Sequence, residues 1–139
     1  CLSAEALGIM EVLNRLTVEY SKTRKQFGAP IGSFQALQHR MVDNFMAFEQ
    51  SKSMVYRGIC ESTSFNKNDI DINQFLKTAH AVKALIAKNS KQIGDESIQI
   101  HGGIGMTDEL NIGHFVKRLM MINVLFGDGD FHRQCFSQN

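Results

Sequence analysis

The sequence has 139 residues, enough for one domain with a single hydrophobic core. Hydrophobic residues make up 43%, charged residues 21%, and the formal net charge is +1. This composition is ordinary for a soluble globular protein and offers no basic surface for nucleic acid. No apolar run approaches the roughly 20 residues needed to cross a bilayer, so we expect no membrane insertion. The three cysteines are scattered and odd in number, which argues against a disulfide scaffold and favours a reducing, cytoplasmic location.

Apolar residues recur at three- and four-residue steps along most of the chain, as on one face of an amphipathic helix. The first such helix is predicted from Leu2 to Tyr20 and is broken by the glycine- and proline-containing stretch 28–32. Ser33 then offers an N-cap oxygen to a second helix. The apolar face predicted for that helix comprises Phe34, Leu37, Met41, Phe45, Phe48, Val55 and Ile59.

The second half of the chain continues the helical pattern. The polar stretch 62–69 is predicted to be a loop, and Asp71, with a glutamine three residues later, resembles a capping box that begins a long third helix. Glycines within 102–105 are expected to end it. A fourth helix is predicted over 109–126 and a short one after Gly129. The fold predicted is all-α, an antiparallel up-and-down four-helix bundle with a short C-terminal helix.

Bundles of this kind often hold a metal, but the required residue spacings do not occur here. No glutamate is followed three residues later by histidine, as a di-iron site needs. The five histidines show no zinc-binding spacing either. We therefore predict no metal site.

Two segments carry more information than a bundle requires. The first, 24–35, reads Arg-Lys-Gln-Phe-Gly-Ala-Pro-Ile-Gly-Ser-Phe-Gln, and the second, 99–106, reads Gln-Ile-His-Gly-Gly-Ile-Gly-Met. The planar guanidinium of Arg24 can grip a phosphate, although a cation near a helix C-terminus also complements the helix dipole alone. The Gly-Gly-Ile-Gly turn can expose N–H groups to an anion, although it also suits a plain helix stop.

Both segments resemble signature stretches of the acyl-CoA dehydrogenase family, "R-x-x-F-G-x-x-I-x-x-x-Q" and "Q-x-x-G-G-x-G". They stand in that family's order and at its separation, and the resemblance covers essentially all of 1–139, which it matches to the family's C-terminal helical domain. It implies FAD as the cofactor. The positions that it implies touch FAD are Arg24, Phe27, Phe34, Gln35, Gln99, Gly102 and Gly103.

The resemblance also implies a reaction, the α,β-dehydrogenation of an acyl-CoA thioester with an electron-transfer partner. A carboxylate removes the α-proton while the β-hydrogen leaves as hydride to the flavin. The family's N-terminal helical and middle β domains are not in this sequence, so we expect the isolated chain to be inactive. We expect it to contribute FAD contacts and the core of an oligomer. This oligomer is either a homo-oligomer, as a dimer or dimer of dimers, or a mixed complex with a related subunit.

The sequence departs from the family at the catalytic base. The resemblance is to a bacterial-type branch in which Gly-Asp-Gly-Asp, here 127–130, replaces the usual Glu-Gly-Thr-Ser, so that the glutamate position falls on Gly127. Asp128 could serve as the base after a local shift, the base could precede Cys1, or the chain could belong to a non-catalytic subunit of a mixed complex. The same stretch also suits a plain turn. A cofactor-free helical interaction module is a further alternative, and it must treat both motifs as coincidence.

Overall fold

The computed structural model describes residues 1–67, 69–107 and 109–138, and these residues are nearly all helical. The helices are α1 (Leu2–Thr23), α2 (Gln35–Asn66), α3 (Ile72–His101), α4 (Ile112–Val124) and α5 (Gly129–Gln138). A short antiparallel hairpin of β1 (Lys25–Gln26) and β2 (Ala29–Pro30) and a 3-10 turn (Ile31–Ser33) connect α1 to α2, and a second 3-10 turn (Gly102–Met106) follows α3. In the described part of the chain, no helix is long and apolar enough to span a membrane.

Helix α3 is the centre of the bundle, because α1, α2, α4 and α5 all pack against it. The fully buried large apolar side chains come from α1, α3 and α4, and burying each one stabilises the fold by about 1.5–3 kcal/mol. The largest of the apolar ones are Met10, Leu13, Ile86, Ile93, Ile112, Leu119 and Ile122. This arrangement confirms the predicted all-α bundle with a short C-terminal helix.

The apolar face predicted for α2 is confirmed in part, because Phe48 and Val55 are buried in the core. Phe45 and Ile59 are 59% and 53% exposed, whereas the buried face of α2 includes Ser51. Polar groups can occupy this face because they are hydrogen-bonded: the Ser51 hydroxyl donates to the Ala47 carbonyl at 2.7 Å, and the Asn89 amide of α3 donates to Ser51 Oγ at 3.0 Å. Helix α2 therefore buries a partly polar face and leaves an apolar one on the surface.

Both predicted boundaries of α2 are wrong. Ser33 is not the N-cap, because the helix begins after Phe34 and the Ser33 hydroxyl donates to the Pro30 carbonyl at 2.6 Å. At the other end α2 continues to Asn66, into the stretch 62–69 that was predicted to be a loop, of which residue 68 lies outside the described residues. Tertiary contact overrides the polar composition there, since the ring of Phe65 in α2 stacks on a phenylalanine of α3.

The predicted start and stop of α3 are both confirmed. The Asp71 carboxylate caps the helix by accepting the Gln74 N–H at 2.7 Å, and the helix ends at Gly102, whose φ is +66°. Helix α4 is shorter than the predicted 109–126. Asp108, the residue just before that range, lies outside the described residues. Helix α4 ends at Val124 because Phe126 has a φ of +60°, a conformation that no α-helix contains.

Candidate functional site

An open cleft of about 570 Å³ lies where the end of α1, the hairpin, the start of α2 and the end of α3 meet. It brings together most of the residues predicted to bind the cofactor, from two motifs that are far apart in the sequence. Those lining the cleft are Arg24, Phe27, Phe34, Gln99, Gly102 and Gly103. Gln35, the remaining predicted residue, is not among the lining residues but is the first residue of α2, next to Phe34.

Arg24 supplies positive charge to this cleft. It directly follows α1, and its exposed position is fixed by its backbone: its N–H donates to the Tyr20 carbonyl at 2.9 Å, and its carbonyl accepts the Ile31 N–H at 2.8 Å. Within the described ranges no carboxylate pairs with Arg24, whereas the other cleft arginine, Arg40, pairs with Glu96 at 2.5 Å. The Arg24 guanidinium therefore keeps its donors for a phosphate, whereas Arg40 already gives its Nε–H to Glu96.

Two phenylalanines form an aromatic wall of the cleft. Phe27 is 93% exposed and adopts a φ of +53°, unusual for a residue other than glycine. The ring of Phe34 meets it edge to face, with the ring centroids 6.2 Å apart. A ring as exposed as that of Phe27 gains free energy when a ligand or another chain covers it.

The glycine turn after α3 leaves its backbone open to the cleft. A Cβ built on Gly102 or Gly103 would meet no atom within 4 Å, so no side chain stands between this backbone and a ligand. Gly105 differs, because a Cβ there would lie 2.9 Å from the Cβ of His101 and packing alone excludes it. The positive φ of Gly102 favours glycine in its own right.

A Tyr–His stack joins the two helix ends that carry the motifs. The Tyr20 ring of α1 stacks on the buried His101 ring of α3 at a centroid distance of 4.4 Å, and the Tyr20 hydroxyl donates to the His101 carbonyl at 3.4 Å. His101 Nδ1 in turn donates to the Ser97 carbonyl at 2.7 Å. Sequence reasoning did not assign His101 this positioning role, because its partner is 81 residues away.

The cleft fits a planar cofactor that bears phosphates. It offers a guanidinium without a carboxylate partner, exposed aromatic rings and a bare glycine backbone, which are groups that hold phosphates and flat ring systems. In the described part of the chain, no cluster of three or more His, Cys, Asp or Glu side chains is arranged to hold a metal ion. The groups that line the cleft are of the kinds that bind anions and aromatic rings.

The structure places Asp128 away from this cleft. Asp128 lies on a groove of about 830 Å³ between α3 and α5, which shares no lining residue with the Arg24 cleft. Its carboxylate accepts the Phe131 N–H at 2.8 Å and so caps the N-terminus of α5. This capping role agrees with the alternative that the sequence left open, in which 127–130 form only a turn between helices.

Two other positions bear on the catalytic base. Gly127 has a φ of +101°, and a Cβ built there would lie 2.5 Å from Cδ1 of Phe131, so this backbone has no room for a glutamate. Glu5 on α1 receives two hydrogen bonds from Arg118 of α4, at 2.6 and 3.0 Å, and this contact lowers the pKa of the Glu5 carboxyl. Glu5 is thus an ion-pair partner between two helices.

Comparison with known proteins identifies the family. The model described as "Acyl-CoA dehydrogenase, C-terminal domain" matches residues 1–139. The acyl-CoA dehydrogenase IpdE2 of Mycolicibacterium smegmatis is 39% identical over 117 residues, which are 84% of this chain and 34% of that protein. An FAD complex of PigA aligns with a TM-score of 0.86 and 29% identity, covering 99% of this chain and 34% of that one. A variant of the Tcur3481–Tcur3483 steroid ACAD aligns with a TM-score of 0.90 and 25% identity, covering 99% and 36%.

These matches define which part of a longer protein the chain resembles. The chain spans only about a third of the length of each of these relatives. The family match, by contrast, extends over every residue of the chain. The chain therefore belongs to the acyl-CoA dehydrogenase family, as its C-terminal domain.

Proposed function

We propose that this chain contacts FAD through the Arg24 cleft, as part of a flavin-dependent dehydrogenase that oxidises an acyl-CoA thioester between its α and β carbons. The observation that supports this most directly is the convergence of two distant motifs on one cleft, where Arg24 faces the bare backbone of Gly102 and Gly103. The aligned PigA structure is an FAD complex, which agrees with this proposal.

Each residue of the cleft has a role that its chemistry suits. The Arg24 guanidinium donates to a phosphate, and the backbone of Gly102 and Gly103 lets a ligand approach closely because it carries no side chain; the Gly102 N–H itself already donates to the Gln99 and Ile98 carbonyls. Phe27 and Phe34 cover a ring system, and the amides of Gln35 and Gln99 are suited to polar atoms of the cofactor. When bound, FAD supplies the acceptor for the hydride that leaves the β carbon of the substrate.

The FAD contact is tested with Arg24→Ala in the polypeptide at the full length that its gene encodes. Loss of a hydrogen bond to a charged group is expected to raise the Kd for FAD about tenfold to a hundredfold, measured by titrating apoprotein and following flavin fluorescence. Lys22→Ala is the matched control, because Lys22 is an exposed cation in the last turn of α1 but does not line the cleft. Unchanged FAD affinity in Arg24→Ala, or a full-length protein that binds no FAD, would contradict the proposal.

Asp128 is the carboxylate of this chain closest in sequence to the family's base position, and Asp128→Asn tests its role sharply. Asparagine is as good an N-cap as aspartate, so this substitution preserves the cap of α5 while removing the base. If Asp128 is the base, kcat falls about 10²- to 10⁴-fold while stability is unchanged. Asp130→Asn is the control, since Asp130 is exposed and pairs with Arg133. Equal kcat in Asp128→Asn and wild type would remove Asp128 from consideration.

A second candidate function is that of a non-catalytic subunit in a mixed complex. It is favoured by the contacts that already occupy the positions considered for the catalytic base. The space beside Gly127 is filled by Phe131, Asp128 is engaged as a helix cap, and Glu5 is paired with Arg118. The aligned steroid ACAD carries two gene names, which agrees with an assembly of two related chains. Full-length protein whose bound flavin is not bleached by any of a panel of acyl-CoA thioesters, but is bleached once a related subunit is co-expressed, would support this candidate.

The surface of α2 supports self-association or pairing with a related subunit, as a dimer or dimer of dimers. Its outer face carries apolar side chains that are about half exposed and that another chain could cover: Val42, Phe45, Met46, Tyr56 and Ile59. Sedimentation of wild type and Arg24→Ala separates this proposal from a cofactor-free interaction module. A module that uses no cofactor would keep the same oligomer whether or not FAD is present.

The proposal includes the cellular setting of such an enzyme. None of the three cysteines, all within the described residues, forms a disulfide, which agrees with a reducing, cytoplasmic location. An electron-transfer partner is required because reduced flavin must be reoxidised before the next turnover. Fractionation of cells that produce a tagged full-length protein would test the location, and recovery of the protein with an extracellular fraction would contradict it.

A further inference from the structure

Two histidines join α5 to α3. Nδ1 of His80 on α3 lies 2.8 Å from Nδ1 of His132 on α5, and Nε2 of His132 lies 3.0 Å from the carbonyl oxygen of Phe126. Both side chains are half-buried, and the ring of Phe131 meets each of them edge to face. The pair therefore connects α3 both to α5 and to the turn 126–128 that precedes α5.

The hydrogen bonds limit how many protons this pair can carry. A carbonyl oxygen only accepts, so Nε2 of His132 must carry a proton. The contact between the two Nδ1 atoms then needs one proton, which either ring can donate to the other. One additional proton can therefore be carried by either ring, but protonation of both rings would set two Nδ1–H groups against each other. The pair thus tolerates at most one positive charge.

The groups around the pair oppose the second charge. Lys83, nearly one turn beyond His80 on α3, is buried and donates from Nζ to the Ile122 carbonyl of α4. Burial lowers the pKa of His132, and the charges of His80 and Lys83 lower it further, against the raising effects of the Phe126 carbonyl and Asp128. Three other charged side chains on the packed elements have partners of their own: Lys77 over Phe136, Asp130 with Arg133, and Glu61 of α2 with Arg57 and Thr78.

We propose that His80 and His132 form a pH-sensitive latch, which holds α5 and the turn 126–128 on α3 while at most one ring is charged and releases them when both rings are protonated. The turn contains Gly127, the position that matches the family's base, and Asp128. The latch therefore controls the placement of the segment on which any base of this chain would lie. It uses no residue of the Arg24 cleft and does not depend on FAD binding.

The direction of the pH effect follows from the pKa of His132. Because the folded state lowers this pKa below its ordinary value of about 6.5, the folded state binds the proton less well than the released state does. The latch is fully stable above about pH 6.5 and is weakened as the pH falls from there through the lower pKa of the folded state. At about pH 5.5, the lowered proton affinity of His132 in the closed latch favours the released state by up to about tenfold in equilibrium constant.

Hydrogen–deuterium exchange with mass spectrometry tests the latch in the full-length protein. Exchange of peptides from 129–138 is measured at about pH 7.5 and about pH 5.5, corrected for the intrinsic pH dependence of amide exchange, with the core segment 86–100 as internal reference. The protection of α5 is expected to fall by up to about tenfold relative to the reference at the lower pH. Equal relative protection at both pH values would overturn the proposal, whether or not the protein carries FAD.

Substitution separates this latch from a general loosening at low pH. His80→Gln introduces an amide that can donate to His132 or accept from it and never becomes charged, so α5 should stay equally protected at both pH values. His132→Gln, a second variant should the first fail to fold, should likewise abolish the pH dependence. His39→Gln, at an exposed position on α2, is the control that should keep it. Full pH dependence in His80→Gln or His132→Gln would overturn the proposal.

Discussion

Gly127 is a position at which the structure excludes a side chain in two independent ways, so Gly127→Ala is expected to destabilise the protein strongly. Its φ of +101° is a conformation that residues with a Cβ rarely adopt. In addition, the new Cβ would lie 2.5 Å from Cδ1 and 3.1 Å from Cε1 of Phe131, too close for non-bonded carbon atoms. Moving the half-exposed ring of Phe131 aside would disturb its edge-to-face contacts with His80 and His132.

The two effects can be given separate magnitudes. The left-handed backbone costs a residue other than glycine about 1–2 kcal/mol. Forcing an extra carbon against a packed ring costs about 1–3 kcal/mol more. The free energy of unfolding should therefore fall by about 2–5 kcal/mol, a large part of the total stability of an ordinary domain. Gly28 isolates the first effect, since its φ is +81° but a Cβ there meets nothing within 4 Å.

Urea unfolding followed by circular dichroism measures these free energies for Gly127→Ala and Gly28→Ala. Gly28→Ala should cost about 1–2 kcal/mol, and Gly127→Ala should cost about 1–3 kcal/mol more. In a Phe131→Ala background the overlap is removed, so the two glycine substitutions should then cost about the same. Equal costs in the wild-type background would show that the turn relaxes freely, and the argument that position 127 cannot carry a glutamate would fail.

Two further predictions concern α1 and α3, and the same urea experiments check both. Thr17→Val should raise the free energy of unfolding by about 1 kcal/mol, because the Thr17 hydroxyl is buried and makes no hydrogen bond within the described structure; a loss of stability would reveal a partner for it. Asp71→Ala should lower it by about 1 kcal/mol, because the Gln74 N–H loses its acceptor, while Asp71→Asn should change it little; equal losses in both would refute the capping role.

The sequence predicted the elements whose signals are local. The start of α3 depends on a carboxylate and an N–H three residues apart, and its end on a glycine with positive φ, so Asp71 and Gly102 could both be recognised from neighbouring residues. The buried face of α2 could not, because it depends on Asn89 of another helix satisfying Ser51. Hydrophobic periodicity treats serine as a surface residue, whereas the burial of Ser51 is made favourable by its hydrogen bonds to the Ala47 carbonyl and, across the helix interface, from Asn89.

The candidate site shows the same division between local and distant determinants. Arg24 and Gly103 lie in turns at helix ends, and the order of helices in a bundle is enough to bring such turns to one end of it. The role of Asp128 as the N-cap of α5 could also have been predicted from the sequence, because an aspartate directly before a helix is a strong N-cap signal.

The histidine pair had no such signal. His80 and His132 are 52 residues apart, and each is unremarkable within its own helix. Their contact exists because the turn 126–128 folds α5 back onto α3. The positive φ of Gly127 and the hydrogen bond from His132 to the Phe126 carbonyl both stabilise this turn. The glycine at 127, which we predict to match the family's base position, therefore also permits the packing on which the proposed latch depends.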